Sequence, residues 1–295
     1  MTPIRAIAID IDGTLVVPDE DVTPRVKRAV AAAREMGVIV LLATGRRFDT
    51  AQEFARALDL DGPMIVSGGA MVCNAASGEI YYEDVLPQEG LAASVDVLQR
   101  AGLQPLLRER WSLGHRLFTG PEACDDDPTI IYVSHEAEVV RLPYERLRQT
   151  KDVMFAAGLS EDEERLQTLA KEVWEIPGLL PLVLPFGPGV LPSAVLDIFN
   201  AGTCKAKALH FVSERFGFDM QQAMAIGDGI NDIDLLEAVG MPVAVGNAIP
   251  EAKAVAKAVV ASNDEDGVAE AIELFVLAAS QQLHVVILGS GCPGD

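Results

Sequence analysis

The hydrophobic pattern changes period several times along the 295 residues, and each change marks an element. The chain opens with Ile4, Ala6, Ile7, Ala8 and Ile9. That apolar run has no alternation, as expected of a strand buried on both faces of a parallel sheet. "TPRVKRAVAAAREMG" follows at 23–37. Val26, Ala29, Val30, Ala33 and Met36 recur on one face, with Thr23 suited to an N-cap, Pro24 to the first turn and Gly37 to the end, so the spacing predicts a helix. "VIVLLATG" (38–45) is a second unalternating strand, "FDTAQEFARALDLDG" a helix with Phe54 and Leu58 inward, and "PMIVSGG" a third strand. This rhythm predicts a parallel sheet with right-handed crossovers.

The rhythm then breaks. "AMVCNAASGEIYY" reads as a hairpin about Ser77-Gly78. A helix is predicted near 88–101, strand-like pieces at 104–119, 129–134 and 151–157, and another helix at 161–174. A parallel crossover needs only a dozen or so residues, so an insert of about 100 predicts a second domain. The alternation resumes with "AVLDIF", the helix "TCKAKALHFVSERFG", the strand "AMAIGD", the helix "NDIDLLEAVG", the strand "PVAVG", then "IPEAKAVAKAV" and a closing helix "DGVAEAIELFVLAA". The expected architecture is α/β: a doubly wound, Rossmann-like parallel-sheet core made of 1–83 and 190–282, interrupted by an inserted α+β domain at 84–189. Residues 283–295 are expected to form an edge strand or a tail.

Composition narrows the function classes. Apolar residues at 49% and charged residues at 23% fit a globule with a sizeable core. A net charge of −21 argues against nucleic acid and anionic membranes as partners, because both require a basic surface. The acidic runs "EACDDDP" (122–128) and "SEDEERL" (160–166) read as solvated faces or a helix N-terminus. The apolar stretch 176–199 carries Pro177, Pro181, Pro185, Pro188 and Pro192, which would ruin a spanning helix, so it is read as short strands with bends. Cys73, Cys124, Cys204 and Cys292 form no metal-binding spacing, and their scarcity suits a reducing compartment; with no visible signal peptide, a cytoplasmic location is expected. The pattern carries no signal for an oligomeric state. His115, His135, His210 and His284 are scattered and read as structural or exposed, and Trp111 and Trp174 as packing residues of the insert.

The chemistry-bearing residues stand at the ends of the predicted core strands. Asp10 and Asp12 end the first; if extended geometry persists through Ile11, their carboxylates share one side, roughly 7 Å apart between Cα atoms. Gly13 then lets the chain bend where a side chain would obstruct it. The second strand ends in Thr44-Gly45-Arg46 and the third in Ser67-Gly68-Gly69; the strand at 223–227 ends in Asp228, with Asn231 and Asp232 just beyond, and Lys205 opens the preceding helix. Ligands of open parallel sheets bind beyond such ends, where the winding reverses. Carboxylates without histidine or thiol select magnesium. A carboxylate beside that ion can attack a phosphoryl group, with a hydroxyl, a lysine and backbone N–H groups stabilising the developing charge. Each residue also has a plain reading: Asp-x-Asp-Gly and Asp228-Gly229 as turns, Thr44-Gly45 as a strand end, Asn231 as a helix cap, Arg46 and Arg47 as solvated surface.

The segments "DIDGTL" (10–15), "TGR" (44–46), "KAKAL" (205–209) and "GDGINDIDLLEAVG" (227–240) resemble, in order and spacing, the four motifs of the haloacid dehalogenase superfamily. The large insert resembles the cap of its Cof-type phosphatases. The resemblance implies that Asp10 is the phosphoryl-accepting nucleophile. Asp12 would protonate the leaving group and then deprotonate the hydrolytic water, its proton affinity raised by the neighbouring negative charge. The main-chain carbonyl of Asp12 and the carboxylates of Asp10 and Asp228 would ligate Mg2+, with Asp232 holding the ion directly or through water. Thr44 and Lys205 would steady the phosphoryl group, and Gly45, Asn231 and Arg46 are candidates for the phosphate pocket. The implied activity is magnesium-dependent hydrolysis of a small phosphorylated metabolite, such as a sugar phosphate, with the cap closing over the site and reading the leaving group. Phosphomutase chemistry, with Arg108, Arg110 and Arg116 as a basic cap surface, and a non-catalytic phosphate-binding role are the alternatives. Three positions depart from the family pattern: Gly68 stands where an asparagine is common, Ala206 where glycine follows the lysine, and Asn200 where a proline precedes that motif.

Overall fold

The computed structural model describes residues 3–17, 21–114, 116–121, 138–185 and 194–278. They divide into two compact units: one takes the chain up to Tyr82 and again from Cys204, and the other spans Glu83–Thr203.

The first unit is built on a five-stranded parallel sheet. Its strands are β1 (Ala6–Ile9), β2 (Ile39–Leu42), β12 (Ala223–Gly227), β13 (Met241–Ala244) and β14 (Ala258–Val259), in the order β14-β13-β12-β1-β2. Strand β3 (Pro63–Val66) continues beyond β2 through a parallel bridge between Ala43 and Ile65, and pairs antiparallel with β4 (Met71–Asn74), which β5 (Ile80–Glu83) flanks. All four residues of β1 are buried, and β1 lies between β2 and β12 with Ile9 level with both Leu42 and Ile226. The chain therefore winds outward in one direction through β2 and β3 and in the other through β12, β13 and β14. The reversal falls between β1 and β12.

Helix Pro24–Glu35 forms as its spacing predicts: Thr23 accepts a hydrogen bond from the Val26 amide, and Val26, Ala29, Val30 and Ala33 are buried. Met36 is not part of the apolar face. It is the C-cap and 44% exposed, because the helix ends one residue before it. Helix Phe48–Ala57 buries Ala51 and Ala55, and Leu58 beyond it, but leaves Phe54 half-buried beneath the Arg46 guanidinium. Helix Pro24–Glu35 packs against Gly267–Ile272, fastened by an Arg25–Glu273 ion pair at 2.8 Å; helix Lys205–Phe216 packs against Ile233–Ala238.

The second unit is a six-stranded sheet in the order β10-β11-β9-β6-β7-β8: β6 (Leu106–Glu109), β7 (Leu117–Thr119), β8 (Val139–Arg141), β9 (Val153–Ser160), β10 (Leu179–Pro185) and β11 (Ala194–Asn200). Helices Gln88–Arg100 and Glu163–Trp174 supply Leu91, Val95, Leu98, Leu166, Leu169 and Val173 to a core shared with Leu107, Ala156, Leu196 and Ile198. The segment "AVLDIF" (194–199), read from the sequence as a core strand, belongs here. It is antiparallel to both β9 and β10, so the chain returns to the first unit at Cys204 rather than near 190. A strand paired on both edges and covered on both faces is apolar throughout in either sheet type, so hydropathy alone does not assign its sheet. Asn200, the departure from the family's proline, donates to Asp84 Oδ1 at 3.2 Å, and Thr203 Oγ1 donates to Asp84 Oδ2 at 2.8 Å, tying the two chain crossings together.

Within 176–199 the described residues form a turn at 176–178 and then strands, and no helix among the described residues is long and apolar enough to cross a membrane. Trp174 is 63% exposed rather than packed, and Trp111 is half-buried. Among the described residues Cys73 and Cys204 are free thiols, and His210 is exposed beside Glu214. The strand expected at 129–134, the acidic run 122–128, His115, His135, Cys124, and the tail 283–295 with His284 and Cys292 lie outside the described residues.

Candidate active site

The first core strand does not stay extended through its second aspartate. β1 stops at Ile9, and the amides of Thr14, Leu15 and Val16 all donate to the Ile11 carbonyl, curling the chain into a turn. Asp10 consequently points into the protein at 3% exposure, while the Asp12 side chain is 59% exposed. The two carboxylates have different partners. The charge paired with Asp12 is the Arg46 cation.

Asp10 lies at the winding reversal, its amide donating to the Ile226 carbonyl of β12 at 3.0 Å. The loop after β12 brings Asp228 and Asp232 alongside. One carboxylate oxygen from each of Asp10, Asp228 and Asp232 can be chosen so that all three lie within 4.8 Å of one another. Lys205 Nζ reaches both Asp10 Oδ1 at 2.7 Å and Asp232 Oδ1 at 2.6 Å, and the lysine is 1% exposed. The other oxygen of Asp232 accepts from the amides of Asp228 (3.1 Å) and Gly229 (3.0 Å). Asp228 Oδ1 accepts from Thr14 Oγ1 at 2.8 Å. Oδ2 of Asp10 and Oδ2 of Asp228 have no donor among the described residues.

Several small residues make this convergence possible. At Gly13, with φ +77°, an added Cβ would stand 2.4 Å from Asp228 Oδ2. At Gly227 a Cβ would meet the Asp232 side chain at 2.7 Å. At Gly69, with φ +102°, it would meet the Cys204 carbonyl at 2.3 Å, so this glycine lets the start of the Lys205 helix lie against the loop after β3. Gly13→Ala is expected to displace Asp228 and to cost about 1–2 kcal/mol for the left-handed backbone alone. A melting temperature equal to that of the parent would refute this.

The electrostatics follow from burial. Desolvation, then the charges of Asp232 and Asp228, push the Asp10 carboxyl well above the usual carboxylate range, and Lys205 pulls it back only in part. Burial also raises Asp228, with the charges of Asp232 and Asp12 adding to it and the Thr14 hydrogen bond and Lys205 opposing. Burial disfavours the charge on Lys205, but Asp10 and Asp232 outweigh it and hold the ammonium above the ordinary lysine range. Three acids facing one lysine leave an excess of acidic groups in a largely buried site, and buried charge requires a partner. The remaining acceptors are all hard oxygens. This donor set suits a small divalent cation such as magnesium, with Asp10 and Asp228 as ligands. Asp232, whose two oxygens already accept three donors, suits an outer position.

The other candidates gather around this cluster. Thr44 is fully buried at the end of β2, where the preceding amide of Ala43 bonds the Ile9 carbonyl; its hydroxyl accepts from the Arg46 amide at 3.0 Å. Gly45 lies beside Asn231, whose Nδ2 would be 3.9 Å from a Cβ there. Arg46 is brought to the site but is engaged with Asp12: Nε lies 3.1 and 2.9 Å from the two carboxylate oxygens and Nη2 lies 2.7 Å from Oδ1. Ala206 replaces the family's glycine without disturbance, its amide donating to Asp234 Oδ2 at 3.1 Å.

Thr14 and Asn247 carry no role that the sequence alone assigns. Thr14 lies inside "DIDGTL", so its position was a signal. Asn247 donates to the Gly13 carbonyl at 2.7 Å and accepts from the Asn263 amide at 3.0 Å, while Asn263 Nδ2 donates to the Val16 carbonyl at 3.0 Å. The two asparagines thus brace the turn after β1 from the far end of the chain, which no local pattern announces. A separate groove of about 940 Å³, lined by Tyr82, Phe211, Phe218 and Met220, shares none of the acidic cluster.

The geometry has counterparts among known proteins. The haloacid dehalogenase-like hydrolase family matches residues 7–272. The chain is 30% identical over 283 residues to pyridoxal phosphate phosphatase YbhA of Escherichia coli, covering 91% of this chain and 97% of the relative. It is 29% identical over 280 residues to the Bacillus subtilis 5-amino-6-(5-phospho-D-ribitylamino)uracil phosphatase YcsE, covering 93% and 96%. The crystal structure of a haloacid dehalogenase-like hydrolase from Bacteroides thetaiotaomicron superposes with a TM-score of 0.69 at 26% identity, covering 92% of this chain and 98% of the other. Four motifs in order, a buried carboxylate–lysine cluster at the winding reversal and a match over nearly the whole chain lead to one conclusion: the protein belongs to the haloacid dehalogenase-like hydrolases, in their Cof-type phosphatase branch.

Proposed function

We propose that the protein is a magnesium-dependent phosphatase that hydrolyses a small phosphorylated metabolite through a phosphoryl group carried on Asp10. The observation that carries this reading is the buried cluster of Asp10, Asp228 and Asp232 balanced by a single lysine. When bound, magnesium supplies charge neutralisation and polarises a phosphoryl oxygen. Asp10 attacks phosphorus, forming a bond from a carboxylate oxygen as the bond to the leaving oxygen breaks. Asp12 gives its proton to that oxygen, then takes one from the water that attacks the phosphoryl-aspartate. Lys205, the Thr44 hydroxyl and nearby backbone N–H groups hold the negative charge that spreads over the equatorial oxygens. Gly45 and Asn231 shape the phosphate pocket.

The substrate class rests on the relatives, one named for pyridoxal phosphate and another for a phosphoribitylamino-uracil. A phosphate monoester on a small organic alcohol is common to both, and sugar phosphates belong to the same class. The inserted unit is proposed to act as a cap that reads the leaving group, and the cytoplasm is the proposed compartment, consistent with the free Cys73 and Cys204 thiols. Phosphomutase chemistry is less favoured. Arg110 is paired with Glu83 and Asp152, Arg116 with Glu109, and Arg108 is buried, so these arginines do not present a basic surface for a second phosphate.

The test is a panel of phosphorylated metabolites assayed for free phosphate with magnesium and after chelation. Turnover is expected to fall at least about 100-fold on chelation, to return with added magnesium, and to require a higher magnesium concentration in Asp228→Asn. Undiminished turnover in chelator would defeat the metal assignment. Isomerised product without free phosphate would favour the mutase.

A further inference from the structure

Arg46 does not present its guanidinium fork to open space. Nε and Nη2 make three hydrogen bonds to the Asp12 carboxylate, and Nη1 faces Glu53 at 3.8 Å. The guanidinium carbon stands 4.8 Å above the centre of the Phe54 ring. Both backbone ends are pinned: the amide donates to Thr44 Oγ1 at 3.0 Å, and the carbonyl accepts from the Ser67 amide at 2.8 Å. The Asp12 carboxylate, by contrast, has no other side-chain partner among the described residues. It is carried on a turn and more than half exposed.

We propose that Arg46, seated on Phe54, is a positioning residue that fixes the orientation of the Asp12 carboxylate for work on the leaving group. The inference rests on the role given to Asp12 above. An exposed aspartate samples several rotamers, and a bidentate guanidinium selects one carboxylate plane, which a lysine or a water would not do. Proton transfer tolerates little misplacement; an error of about 1 Å costs on the order of 100-fold. In the leaving-group step the Asp12 O–H bond breaks and the bridging ester oxygen gains that proton. The bond from that oxygen to phosphorus is lost as the bond to Asp10 forms. The carboxylate left on Asp12 is then the group the fork faces. The aromatic seat explains why the second turn of helix Phe48–Ala57 offers a phenylalanine to a half-buried position: a cation held over a ring keeps its plane.

The test is leaving-group dependence. The ratio kcat/KM reports steps up to phosphoryl transfer, so it is measured with a simple alkyl phosphate, whose alkoxide needs a proton to depart, and with p-nitrophenyl phosphate, whose phenolate does not. Arg46→Ala is expected to lose about 100-fold on the alkyl ester and less than about 5-fold on the aryl ester. Phe54→Leu is expected to show the same selectivity at smaller size, and keeps the proposal testable if the arginine variant folds poorly. Asp12→Asn should show the selective loss in full, and adding Arg46→Ala to it should change the alkyl value by less than about 2-fold. Equal losses on the two esters in both Arg46→Ala and Phe54→Leu, with Asp12→Asn still selective, would overturn the positioning role alone. An unselective Asp12→Asn would overturn the role of Asp12 and this inference with it.

Discussion

Asp10→Asn is expected to lose phosphate release by about 10⁴-fold or more while its melting temperature stays equal to the parent's or rises. The two halves of this result have one cause. Asp10 is buried in a cluster with two other acids, and burial with their charges disfavours its ionised form. An amide of the same shape removes that penalty and can still accept from Lys205 at the Oδ1 position. The amide is not a nucleophile, so no phosphoryl-enzyme forms on it. The check is a phosphate-release assay beside thermal melting, with acid-quench trapping of labelled protein. Metal-dependent turnover at the parent rate would remove Asp10 from the mechanism.

Lys205→Met is expected to damage stability and turnover together. The ammonium bridges Asp10 and Asp232 within hydrogen-bond distance, and all three side chains are buried. Removing the cation leaves the acids facing one another without compensation, a loss of about 3–5 kcal/mol for a broken buried pair. Methionine fills the space, so little of this would be cavity. Turnover is expected to fall on the order of 10³-fold, since an oriented charge beside the transferring group is lost. The pH dependence has a definite sign. A carboxyl whose folded-state proton affinity is raised destabilises the folded state once pH exceeds its unfolded pKa, and the penalty grows until the folded pKa is passed. Asp10 is already raised, and loses the lysine that lowers it. In chelator, the gap in melting temperature between parent and variant should therefore narrow as pH is lowered from neutral. A gap that widens on acidification would contradict this account.

Much of the site was visible along the chain because this fold places its chemistry at strand ends. Ile9, Ala43 and Ile226 are the last apolar residues of three unalternating runs, so the first polar residues after them had to emerge on one edge of a parallel sheet. Gly13 carried a further signal, since a glycine after two acids marks a backbone that a side chain would block; its φ of +77° and closeness to Asp228 bear that out. Where the reading failed, a tertiary contact had replaced a local rule. The shared side expected for Asp10 and Asp12 required an extended Ile11, but the Ile11 carbonyl gathers three amides into a turn. "AVLDIF" joined the second sheet because its partners β9 and β10 supply both edges, which hydropathy does not encode. Phe54 matches the apolar spacing of its helix, yet it lies half-buried beneath the Arg46 guanidinium.

The order of acids, hydroxyl and lysine, the periodicities of the core strands and the length of the insert are properties of the sequence by itself, because they depend on residue type and spacing alone. Which carboxylates meet at Lys205, which one Arg46 pairs with, and the bracing of the first turn by Asn247 and Asn263 were decided only on folding. Those contacts join residues up to 247 positions apart, and their partners are selected by where the sheet winding reverses rather than by any neighbour in the chain.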